Sequence, residues 1–107
     1  MQRLIRLIAF ILLFLGCVVA PAWAHKVNIF AYAENGKVYT ESYFADGRKV
    51  IGGQVEVQDA DGKQLLEGKT DDKGIFSFPL MEKQTLRIIV NAGMGHKNSY
   101  LLKREEM

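Results

Sequence analysis

The sequence predicts an all-β fold, an antiparallel β-sandwich of about seven strands behind an N-terminal signal peptide. Three observations carry this expectation. Beyond residue 25 apolar residues recur at every second position, and no segment has a helical period. Gly-containing turn sequences interrupt these runs at near-regular spacing. The single long apolar run, Leu7–Val19, follows two Arg residues and precedes a small-x-small site.

The N-terminal part changes every other number. Met1–Arg6 carries Arg3 and Arg6 and no acid. Pro21 breaks any helix after the apolar run, and Ala22-Trp23-Ala24 offers signal peptidase the small side chains it holds. Residues 1–24 are therefore expected to be a signal peptide cut between Ala24 and His25. An uncleaved anchor is the first alternative, but the run is short of the roughly 20 residues of a membrane span. Lipidation at Cys17 is the second; Gly16 suits it, whereas Phe14, Leu15 and the apolar residues after Cys17 do not.

The chain of 107 residues has a net charge of +2 and one Cys. Cleavage would leave 83 residues with twelve Lys and Arg against twelve Asp and Glu, and no Cys. A neutral, Cys-free, exported domain excludes internal disulfides, a Cys-rich zinc site and a basic nucleic-acid groove. Its size allows one domain, 25–102, with 103–107 as a charged tail expected to fray.

Lys26–Ala33 alternates, with Val27, Ile29 and Ala31 on one side and Asn28, Phe30 and Tyr32 on the other. Asn35-Gly36 is a hairpin signal, since both residues tolerate positive φ. Val38–Phe44 is rich in β-branched and aromatic residues. Ala45-Asp46-Gly47-Arg48 turns the chain. Gln54–Gln58 alternates with Val55 and Val57 inward, and Asp61-Gly62 leads into Gln64–Lys69. Asp71-Asp72-Lys73-Gly74 leads into Ile75–Phe78, which Pro79 ends or marks as an edge. Thr85–Ala92 is the most apolar run and is expected to be central. Gly93-Met94-Gly95 turns into a last short strand, Ser99–Leu102. The pattern suits an immunoglobulin-like or transthyretin-like sandwich.

The two His residues locate the candidate chemistry. After cleavage His25 would be the first residue, so its α-amine and Nδ1 would close one chelate ring around a metal ion. His96 follows the flexible Gly93–Gly95 turn, and both residues would share one end of a sandwich. Two imidazoles and an amine suit Ni(II), Co(II), Cu(II) or Zn(II) rather than Mg or Ca, with Cu(II) bound tightest. Met94 and Glu41 are weaker candidate donors. A polar surface role for both His residues is the plain alternative. Asp71 and Asp72 suggest calcium less well than a turn that uses their carboxylates itself. No nucleophilic triad, acid–base carboxylate pair or phosphate loop is present, so no enzyme activity is expected. Tyr32, Tyr39, Tyr43 and Phe44 could offer an aromatic patch to a partner, though strand packing accounts for them as well.

Gly53–Phe78, with its Gly-x-Val strand and Thr70-Asp71-x-x-Gly74-x-Phe76 turn, resembles the carboxypeptidase regulatory-like domain. A wider resemblance is carried by His25-Lys26-Val27-Asn28, by Val38–Gly47 with its Thr-Glu-Ser-Tyr-Phe core, by that same segment, and by Asn91-Ala92-Gly93-Met94-Gly95-His96-Lys97. In this order they are similar to the accessory extracytoplasmic component of energy-coupling-factor transporters for nickel and cobalt. The resemblance implies help with Ni(II) or Co(II) uptake, with His25 and His96 as metal candidates and the membrane components of the transporter as partners. Such proteins often continue into a C-terminal membrane helix. This sequence stops at Met107, so membrane association through the partner is expected. A periplasmic copper-binding sandwich, and a structural or adhesive module without metal, are the alternative readings.

Overall fold

A computed structural model describes residues 26–107; the predicted signal peptide, its cleavage site, Cys17 and His25 lie outside the described residues. The described strands are β1 (Val27–Glu34), β2 (Lys37–Phe44), β3 (Gln54–Gln58), β4 (Gln64–Lys69), β5 (Ile75–Pro79), β6 (Leu86–Asn91) and β7 (Lys97–Leu102). They form two sheets, ordered β1-β2-β5 and β4-β3-β6-β7, and every pairing is antiparallel. The chain is thus all-β, with three strands stacked on four. The most apolar strand, β6, is interior to its sheet, as its composition predicts. Pro79 closes β5, which is an edge strand and can tolerate a missing N–H.

Turn chemistry accounts for the hairpins. Asn35 and Gly36 take φ of 52° and 76°, the paired left-handed conformation that matches the twist of two-residue hairpins. Asp59 Oδ1 accepts from the N–H groups of Asp61 and Lys63 at 2.9 Å each. Asp71 repeats the motif, accepting from Lys73 at 2.8 Å and Ile75 at 2.9 Å. These bonds hold the Asp71 carboxyl below its ordinary pKa, Ile75 N–H first and Lys73 N–H second. Asp71 therefore serves its own turn, the role that Gly turns give such residues.

The inward residues alternate along each strand. Val38, Val55, Val57, Ile88 and Val90 lose all contact with solvent between the sheets. Each such side chain contributes about 1.5–3 kcal/mol of transfer free energy. Thr40 and Ser42 are buried among them, and their hydroxyls have no hydrogen-bond partner among the described residues. Beyond Glu41, where β5 stops, the chain returning from β2 takes its place: Tyr43 bridges to Lys49, and Val50 N–H donates to Ser42 O at 3.1 Å. Thr70 then ties this crossover down. Its buried hydroxyl accepts from Gly53 N–H at 2.8 Å and donates to Val50 O at 2.6 Å.

The open sides of the sandwich are closed differently. On one side β1 meets β7, where Asn98 Nδ2 donates to Val27 O at 2.7 Å and Phe30 meets Tyr100 edge-on at 5.6 Å. On the other, Phe76 lies where a side chain at Gly68 would stand. The C-terminal tail folds back on the sandwich. Arg104–Glu106 makes a 3-10 turn, and Met107 packs against the core because a thioether side chain gains from leaving water.

Candidate metal-binding site

His96 is placed by the loop that joins β6 to β7. Ala92 N–H donates to His96 O at 2.8 Å, and His96 N–H donates to Gly93 O at 2.9 Å. Asn91 Oδ1 accepts from Gly93 N–H at 2.9 Å. Between these bonds Gly93, Met94 and Gly95 all take positive φ, 88°, 53° and 82°. Two glycines adopt this path freely, whereas Met94 adopts it at a cost, since its Cβ crowds the backbone. The Met94 side chain is 98% exposed at the tip of the loop.

The His96 ring is half-buried and meets Phe44 edge-on, with centroids 6.5 Å apart and planes at 86°. That separation lies within the favourable range for aromatic pairs. Arg48 sits over the same Phe44 ring, its guanidinium carbon 5.2 Å from the centroid. Asp46 orients Arg48 twice, accepting from its backbone N–H at 3.0 Å and from its Nε at 2.7 Å. The hairpin end that carries these residues is pinned to the entry of β1, because Ala45 N–H donates to Lys26 O at 3.0 Å.

The strand that leaves the His96 loop also meets that entry. The Asn98–Val27 hydrogen bond joins the second residue of β7 to the first of β1. The start of the first strand and the loop after β6 therefore share one end of the sandwich, as the sequence anticipates. His25, two positions before Val27, lies outside the described residues. Glu41 is exposed on the solvent face of β2, opposite Phe30 and Ile75. Phe44, which His96 contacts, belongs to the inward face of the same strand. Among the described residues no three His, Cys, Asp or Glu side chains gather in a metal-binding cluster.

Three participants are not read from the sequence: Phe44 as a wall for the imidazole, the Asp46–Arg48 pair behind it, and Asn98 as a clasp. A signal for Asn98 exists, since Asn is depleted in strands and needs a local reason there. The solvent face of β1 and β2 carries a separate aromatic group. Tyr32 stacks on Tyr39 with centroids 5.3 Å apart, and Phe30 leans on Tyr32 at 5.8 Å. Desolvation first, and then Glu41, Glu34 and Tyr39, raise the Tyr32 phenol above its ordinary pKa.

No family model matches the chain. A curated relative from Haemophilus influenzae, described as an uncharacterized protein, is 29% identical over 90 residues. The match covers 81% of this chain and 56% of that protein, so the chain spans about half the length of the relative. No solved structure matches.

Proposed function

We propose that this chain is an exported, non-enzymatic metal-binding protein that assists a membrane transporter in taking up Ni(II) or Co(II). In this reading it works on the periplasmic or extracytoplasmic face, in a transthyretin-like or immunoglobulin-like sandwich. The observation that supports it best is the Asn98–Val27 clasp, which brings the His96 loop to the strand that follows His25. His25 would supply an imidazole and, after cleavage, an α-amine; His96 would supply the second imidazole. Nitrogen donors of this kind suit late divalent transition metals. Met94 and Glu41 are weaker donors in the same proposal.

The reading sets a pH dependence. The amine, with a reference pKa of about 8, and the imidazoles, about 6.5, must be deprotonated to bind. Protons are therefore released on binding, and affinity falls as pH drops below about 7. Calorimetric titration of the exported protein with Ni(II) at several pH values measures both effects. His96→Ala and His25→Ala are expected to weaken binding at least tenfold. One extra residue before His25 should do the same, since it turns the amine into an amide. Unchanged affinity in all three variants, or binding without proton release, overturns the proposal.

Copper handling is the second reading, and the fully exposed Met94 thioether favours it. Soft thioethers select Cu(I) over Ni(II). Met94→Leu would weaken Cu(I) binding and leave Ni(II) binding unchanged if copper is the cargo.

A further inference from the structure

We propose that the end of the sandwich carrying the His96 loop lies against an anionic phospholipid surface. Four segments meet there: the entry to β1, the β2–β3 crossover, the β4–β5 loop and the β6–β7 loop. Two of them present an apolar side chain outward. Ile51 is 68% exposed at the crossover, and Met94 is 98% exposed at its loop tip. Exposed cations surround these tips: Lys26, Arg48, Lys49, Lys69, Lys73 and Lys97. The same loops and strand ends hold three carboxylates, those of Asp46, Asp71 and Asp72. Asp46 and Arg48 pair with each other, which leaves five Lys against Asp71 and Asp72 at this end.

The opposite end has the reverse balance. Its turns and strand ends, with the C-terminal tail, carry five Lys and Arg against six Asp and Glu. Residues 26–107, whose formal charges cancel, are thus folded with one cationic end. Apolar tips set among cations fit a surface of anionic headgroups over acyl chains, where cations gain from the surface potential and apolar side chains from insertion. The chain outside the described residues points the same way. Residues 1–25 join the fold at Lys26, at this end, and their sequence includes the apolar run Leu7–Val19. A membrane-held Leu7–Val19 run would keep this end nearest the bilayer.

This inference does not rest on metal binding, since metal-free protein would show it. It would direct the His96 loop toward the membrane in which a transporter sits. The test uses exported, metal-free protein and vesicles of phosphatidylcholine, with and without phosphatidylglycerol. Cosedimentation is expected to rise about tenfold with phosphatidylglycerol at low salt and to fall as salt screens it. Lys49→Glu with Lys73→Glu, or Ile51→Asp with Met94→Asp, should abolish that gain. Lys83→Glu and Met81→Asp, at the other end, should leave it intact. A second readout gives orientation whatever the state of the N-terminus. A fluorophore on Met94→Cys should be quenched by brominated lipid, and one on Met81→Cys should not, with Cys17→Ser in both. Equal quenching of the two labels, or binding indifferent to phosphatidylglycerol, overturns the proposal.

Discussion

Thr40 and Ser42 set the residue scale. Their hydroxyls stand in the interior without a hydrogen-bond partner among the described residues. A buried hydroxyl left unpaired costs about 1–3 kcal/mol, and an apolar group of the same shape removes that cost. Thr40→Val is therefore expected to raise stability by about 1 kcal/mol, read as a shift in the urea midpoint at unchanged slope. A fall in stability would show that the hydroxyl has a partner such as a buried water. The direction these residues face was hard to read from sequence. On β2 one face offers Val38, Thr40, Ser42 and Phe44, and the other Tyr39, Glu41 and Tyr43. Both faces are half apolar, so the period-two pattern alone does not choose. The choice is made by Val38 and Phe44 at the ends of the inward set, which drag the two hydroxyls inside.

At the element scale, the strands were legible because each is short, alternating and bounded by turn residues with a specific task. The spans of β3 and β4 follow from the sequence residue for residue, and the others shift by one or two positions at their ends. Sheet membership was not legible. Whether Ile75–Pro79 joins β2 or β4 depends on partners far along the chain, and no local signal carries that choice. Gly68 shows the kind of long-range fact involved. It reads as a weak point in a strand, yet it is the space that lets Phe76 cross from the other sheet. Gly68→Ala should displace that ring and cost about 1–3 kcal/mol. Thermal unfolding checks this, since each kcal/mol moves the midpoint of a domain this size by about 4–8 °C. An unchanged midpoint would mean that Phe76 can move aside freely.

At the scale of the whole molecule, the sequence located one half of the candidate site and could not show its support. His96 stood out as a His in a Gly-rich loop, and a sandwich can bring the end of a later strand to the end where the first strand begins. The clasp that holds loop and strand together was missed, because it joins residues on different sheets. Asn98→Ala should lower stability by about 1–2 kcal/mol, as Val27 O loses its side-chain donor. Under the metal proposal it should also weaken Ni(II) binding without removing a ligand, and titration of N98A beside H96A separates the two effects. Equal affinity in N98A and the parent protein would leave the clasp a purely structural role.

The clasp also has a consequence in time. Its two residues are 71 positions apart, so the first strand waits for the last before the seam between them can close. Contacts of such separation form late and slowly, since a long loop must be closed before they return any free energy. A chain threaded outward from its N-terminus would thus carry its opening strand unfinished until almost everything had crossed. Any product that stops short of His96 would lack the seam and the imidazole together. The seam at this end is thereby expected to close late in folding, and a partner that recognised it would engage completed molecules alone.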